Sequence, residues 1–227
     1  MSWQDKINTI IQGDALEELK KLPDECIDLV IIDPPYIQQS HGGGGAFGTR
    51  MREYHKGVDS LGYGFENNIL DELVRVLKKV NLYIFCSKNQ IIQILNYFQN
   101  YKYDILTYHK TNPTPTCNNK YLSDTEYIIY VRESGVKLYG TYHTKRKWFL
   151  QENGKSEWDH PTVKPLNIIS TLIGNSSLPE DLILDCYLGS GTTAVATRAL
   201  KRNFIGIELN PDYIAIANKR LAQQVLL

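Results

Sequence analysis

Two stretches of this chain carry chemistry-bearing residue types at fixed spacing. The first is Asp33-Pro34-Pro35-Tyr36, directly behind the apolar run Leu29-Val30-Ile31-Ile32. Pro35 restricts Pro34 to an extended conformation and neither proline can donate to a sheet ladder, so the backbone must leave the sheet here. A carboxylate, a free carbonyl and a flat ring are thereby offered at the carboxyl end of a strand, the edge where open α/β sheets bind ligands. The second stretch, Asp185 through Thr193, contains Tyr187, Gly189, Ser190, Gly191 and Thr192 and follows the apolar run Leu182-Ile183-Leu184. Alternate glycines let the backbone approach a ligand closely, and the turn exposes the free N–H groups of the following helix. One strand later, Ile205-Gly206-Ile207 ends in Glu208. A glycine loop followed by a carboxylate at the next strand end suits the hydroxyls of a ribose. A third glycine at the dinucleotide spacing is missing, which disfavours NAD.

The elements that must position these residues alternate between strand and helix. Ile7–Gln12, Asp28–Ile32, Asn81–Cys86, Tyr103–Tyr108, Glu126–Val131, Asp181–Asp185 and Phe204–Ile207 read as strands, being rich in β-branched and aromatic residues. Ala15–Leu22, Glu66–Val80, Asn89–Tyr97, a segment opening at His160–Pro165, Thr192–Leu200 and Asn210–Leu221 read as helices from their apolar spacing. The first strand, helix and strand form a βαβ unit, so those two strands should be parallel. The expectation is one α/β domain over residues 1–227. Two segments break the rhythm. Residues of about 37–64 include Gly42-Gly43-Gly44-Gly45 and then Arg50 and Arg52, a glycine-rich loop suited to a lid beside Asp33. Residues of about 132–159 interleave Lys145, Arg146, Lys147 and Trp148 with Tyr139, Tyr142 and His143, a pattern suited to phosphate contact and base stacking.

Acidic and basic residues balance at 25 each, which excludes a polyanion binder held by global charge but leaves room for a local basic face. The four cysteines, Cys26, Cys86, Cys117 and Cys186, show no C-x-x-C spacing, as expected of reduced thiols rather than a zinc site or a disulfide framework. The N-terminus lacks a signal pattern and no apolar run is long enough for a bilayer, so a cytoplasmic protein without a membrane partner is expected.

Five pieces together resemble the S-adenosylmethionine-dependent DNA amino-methyltransferases. Asp33-Pro34-Pro35-Tyr36 matches the catalytic tetrapeptide of that family, and Asp185 through Thr193 is similar to its cofactor loop, D-P-F-x-G-S-G-T-T. His160 through Pro165, with Thr162 and Lys164, matches H-P-T-x-K-P, which in the family helps form the methionine end of the cofactor pocket. Gly13-Asp14, followed by Ala15, matches the acidic position that reaches the adenine of the cofactor, and Glu208 the one that holds its ribose. The tetrapeptide precedes the glycine loop, an order that resembles the permuted β-class. Cys186 and Tyr187 depart from the usual Pro and Phe, with Tyr187 keeping an aromatic wall.

The resemblance implies a Rossmann-like sheet, mostly parallel with one antiparallel strand, helices on both faces and a small polar target-recognition insertion. It implies S-adenosylmethionine as cofactor, DNA as partner and a possible homodimer. The exocyclic amine of adenine is a poor nucleophile because its lone pair is delocalised into the ring. Asp33 and the Pro34 carbonyl would accept both N–H bonds and free that lone pair, and Tyr36 would stack against a base flipped from the duplex. An acid before Pro-Pro-Tyr resembles the adenine enzymes, with cytosine N4 as the alternative amine. A catalytically silent DNA-binding subunit is the alternative of another class, disfavoured by the joint presence of Asp33, Gly189, Gly191 and Glu208.

Overall fold

A computed structural model describes residues 2–35, 66–113, 119, 121–152 and 163–224 of the chain. The expected lid with Arg50 and Arg52, the ring of Tyr36, and His160 through Thr162 lie outside the described residues.

The sheet is built outward from β2 (Leu29–Ile32) and β7 (Leu182–Asp185), adjacent strands whose residues are all buried. In a strand successive side chains face opposite ways. Val30 and Ile32 therefore join one core layer with Leu19, Leu70, Leu73 and Ile94, while Leu29 and Ile31 join another with Ile168, Leu172 and Ala196. Both faces are thus apolar because both are covered. Helices α1 (Ala15–Leu19), α2 (Asn67–Val76) and α3 (Ile91–Tyr97) supply the first layer. The second contains α4 (Leu166–Ser176) and part of α5 (Thr192–Ala199), and α6 (Pro211–Gln224) packs on α5. In α2 the buried Ile69, Leu70, Leu73 and Val76 form one stripe at helical spacing.

The remaining strands are β1 (Thr9–Gln12), β3 (Asn81–Cys86), β4 (Lys102–Lys110), β5 (Thr125–Arg132), β6 (Trp148–Gln151) and β8 (Asn203–Glu208). All eight form one sheet in the order β1-β8-β7-β2-β3-β5-β4-β6. Only β5 runs against its neighbours, pairing antiparallel with both β3 and β4. This is the expected mostly parallel sheet with a single reversed strand. The strands of the first βαβ unit do run the same way, but β8 and β7, from the C-terminal third, stand between them. From β7 the chain continues to β8 on one side, and from β2 to β3 on the other. A crevice therefore opens at the carboxyl ends of β7 and β2, the topological switch point.

Within the segment at about 132–159, Trp148–Gln151 adds to the edge of β4 as a parallel strand, an element that the sequence pattern did not reveal. Its side chains alternate in exposure, with Phe149 packed on the core while Trp148 and Leu150 face outward. Such alternation over four residues is too short to stand out in a polar stretch.

Candidate active site

Asp33 leaves the end of β2 half-buried, followed by a buried Pro34 and an exposed Pro35. The carbonyl of Pro35 accepts from Nε2 of the fully buried Gln90 at 3.3 Å, and Gln90 is itself held by the backbone N–H and hydroxyl of Ser87. The turn beyond β2 is thus tied to the turn beyond β3. Asp33 Oδ2 lies 2.6 Å from the ammonium of Lys164, whereas the buried Oδ1 has no hydrogen-bond partner among the described residues. Lys164 also meets Glu126 at 3.2 Å, and Glu126 meets Lys110 at 2.6 Å. The ammonium stands 5.4 Å over the Phe85 ring. Burial alone would push Lys164 down, but Asp33 and Glu126 outweigh it and hold the ammonium above its ordinary range. Burial likewise opposes ionisation of Glu126, and Lys164 with Lys110 reverses that, keeping it a carboxylate.

Across the crevice, Asp185 at the end of β7 is buried and accepts the Tyr187 N–H at 3.0 Å. Burial pushes its carboxyl up to about 7; hydrogen bonds from Thr193 and Tyr187 work against the rise, and the charges of Asp33 and Glu208 add to it. Gly189 and Gly191 both adopt left-handed backbone, with φ of 54° and 84°. A Cβ at Gly191 would sit 2.6 Å from that of Ala217, so this glycine admits α6 rather than only a ligand. Glu208, buried at the end of β8, accepts the Gly189 N–H on Oε2 at 2.7 Å and the Asn210 N–H on Oε1 at 2.8 Å. Each oxygen keeps a further lone pair for a sugar hydroxyl. Ser190 and Thr192 are buried and bound by Arg220 Nη1, which also donates to the Ser190 carbonyl at 2.7 Å.

One cavity joins the two sides: Asp33, Phe85 and Lys164 line it together with Asp185, Tyr187, Gly189, Ser190 and Thr192. Asp14 stands at the same sheet edge, since its strand pairs with β8, and its side chain caps α1 by accepting the Glu17 N–H at 3.1 Å. Ala15 is buried in the first turn of that helix. Sequence reasoning missed Gln90, Glu126 and Lys110, which lie at the ends of ordinary elements, and Arg220 within α6, with no motif to mark any of them. Of the cations expected to meet DNA, Lys145, Arg146 and Lys147 stand apart, before β6, with three strands between β6 and β2. Arg146 stacks 5.5 Å over the exposed Trp148 ring, Lys147 pairs with Asp104, and Lys145 is exposed.

Residues 27–219, spanning β2 to α6, match the family described as DNA methylase. The chain belongs to the N6/N4 DNA methylase family. Members are S-adenosylmethionine-dependent DNA methyltransferases, and so is this chain. This DNA methylase is 32% identical to Type II methyltransferase M.HinfI of Haemophilus influenzae, across 96% of the chain and 69% of that relative. It is 29% identical to Type II methyltransferase M2.MboI of Moraxella bovis, across 95% of the chain and 88% of the relative. Among solved structures, the M1.HpyAVI–SAM complex superposes with a TM-score of 0.70 at 26% identity, covering 94% of this chain and 98% of that one. The PvuII cytosine-N4-specific DNA methyltransferase reaches a TM-score of 0.71 at 18% identity, over 93% and 85% of the two chains. That second likeness is one of fold, so the fold by itself does not choose between amine targets. No helix among the described residues is long and apolar enough to cross a membrane.

Proposed function

We propose that this DNA methylase transfers the methyl group to N6 of adenine at a specific DNA sequence, with Asp33 as the residue that receives the amine. The observation that carries the reading is the asymmetry of Asp33: Oδ2 is bound by Lys164, while Oδ1 is buried and unpartnered among the described residues, at a cavity shared with the glycine loop. A buried acceptor without a donor is costly, and an incoming N–H would satisfy it. Asp33 Oδ1 takes one amine hydrogen and the Pro34 carbonyl the other, which draws the nitrogen towards tetrahedral geometry. The carboxylate then stabilises the positive charge that grows on the amine. Lys164, held as an ammonium, has no lone pair to accept the departing proton.

The residues around the crevice fit S-adenosylmethionine: Glu208 for ribose hydroxyls, Asp14 and Ala15 at the adenine end, and Tyr187 through Thr192 with Asp185 beneath as the cradle. Thr162 and Lys164 belong to the methionine end. When bound, the cofactor supplies an electrophilic methyl group. A base in a duplex must be flipped to reach the site, at a cost of a few kcal/mol that stacking on Tyr36 would offset by about 1–3 kcal/mol. Arg50, Arg52, Lys145, Arg146 and Lys147 are assigned to the phosphate backbone. A cytoplasmic location and a homodimer complete the reading, the homodimer supported by the outward-facing Tyr103 and Ile105 on β4 and Leu150 on β6.

The test is methyl transfer from labelled S-adenosylmethionine to DNA, followed by nucleoside analysis. N6-methyladenine is the expected product, and N4-methylcytosine would transfer the reading to the other amine. Asp33→Ala is expected to abolish turnover while cofactor binding survives; methyl transfer at the wild-type rate by that variant would remove Asp33 from the chemistry.

A further inference from the structure

We propose that Glu126 is a positioning residue for methyl transfer, acting through Lys164 to keep Asp33 Oδ1 open for the target amine. The inference rests on the reading of Asp33 as the amine-binding acid. Four side chains form a row along the carboxyl edge of the sheet: Lys110 at the end of β4, Glu126 at the start of β5, Lys164 ahead of α4, and Asp33 beyond β2. The reversal of β5 is what brings Glu126 here, because an antiparallel strand begins at the edge where its neighbours end. Signs alternate along the row, so its formal charge is zero.

The chemistry of lysine makes this arrangement consequential. Its ammonium is a point charge on a flexible stem, with three donors that can rotate freely. Beside Asp33 alone it would be drawn to both carboxylate oxygens and would cover the acceptor needed by the substrate. Glu126, at 3.2 Å on its other side, draws the ammonium away from Oδ1, and contact remains with Oδ2 at 2.6 Å. The Phe85 ring, 5.4 Å below, limits its travel further. Lys110 holds Glu126 at 2.6 Å and prevents that carboxylate from being left buried against one cation only. The exposures of the Glu126 and Lys164 side chains, 14% and 11%, leave little water to substitute for a missing partner.

Neutralising Glu126 should therefore release Lys164 onto Asp33 without altering the contacts that bind DNA phosphates. Glu126→Gln, which preserves volume, is expected to lower kcat by about 10- to 100-fold, the range that misplacement near a reacting group produces. KM for a DNA duplex containing the target should stay within about twofold, since phosphate contacts dominate DNA affinity. Glu126→Asp, which keeps the charge, should recover part of kcat. A double-mutant cycle identifies the route: in a Lys164→Gln background, Glu126→Gln should cost nothing further.

Wild-type turnover together with an unchanged kcat in Glu126→Gln would overturn the inference and leave the functional reading intact. So would a full, independent loss in the Lys164→Gln background. Absence of methyl transfer to DNA by the wild-type chain would overturn both. If Glu126→Gln does not fold, Glu126→Asp probes the same contact, because its shorter side chain pulls Lys164 less. A fall in kcat at constant KM supports the inference there, and an unaltered kcat overturns it.

Discussion

Asp185 is enclosed by the glycine loop it supports, and that enclosure sets its protonation. Burial raises its carboxyl to about 7, from an ordinary value of 3.8 in the unfolded chain. Between these values the folded protein holds a proton that the unfolded chain has released, so stability falls as pH rises through this window. The contribution is fully present below about pH 4 and lost above about pH 7. Its size is of the order of 4 kcal/mol, undiminished by solvent screening because the group is buried. Asp185→Asn keeps an acceptor for the Tyr187 N–H and cannot titrate. Urea denaturation of the ligand-free protein should therefore find the variant gaining stability relative to wild type between pH 4 and pH 8. Parallel pH profiles for the two proteins would show that the proton is not held at Asp185.

At the scale of elements, the glycine loop is held from behind as much as it is shaped for a ligand in front. Arg220 of α6 binds Ser190 and Thr192, Glu208 of β8 binds Gly189, and Ala217 of α6 fills the space that a Gly191 side chain would need. Gly191→Ala combines left-handed backbone strain of about 1–2 kcal/mol with overpacking of about 1–3 kcal/mol. Denaturant midpoints should show a loss of roughly 2–5 kcal/mol, and cofactor affinity should fall with it because the loop can no longer sit under α6. A stable variant with weakened cofactor binding alone would mean that the glycine serves the ligand only. The sequence shows the strand–loop–helix and its glycines because both are local patterns. It does not show Ala217, which lies a strand and half a helix further on and has no feature to mark it. Glu126 was hidden for a similar reason. At the start of a strand it looks like a solvated end residue, and only the pairing of β5 with both β3 and β4 brings it to Lys164. Order within the sheet is likewise non-local: β7 enters beside β2 although about 150 residues separate them, as loop closure permits at modest entropic cost.

For the molecule as a whole, balanced charges mean that attraction to DNA must come from patches and not from the total. The cations before β6 differ in what they can offer such a patch. Lys147 is already paired with Asp104, and Arg146 lies over Trp148, which fixes its plane, with no ion-pair partner among the described residues. Lys145 is exposed on the same turn. Each phosphate contact contributes about −0.9 to the slope of log K against log salt for duplex DNA. Replacing Lys145 and Arg146 by Ala should flatten the slope by about 2, whereas Lys147→Ala should change it less, because removing that cation also frees the Asp104 carboxylate. Binding isotherms at several salt concentrations, with a duplex lacking the target as control, separate this electrostatic share from sequence readout. An unaltered slope in the double variant would move the phosphate-binding face away from the β6 edge. Sequence specificity would then have to be sought nearer the Asp33 crevice, where β2, β7 and the turn held by Gln90 converge.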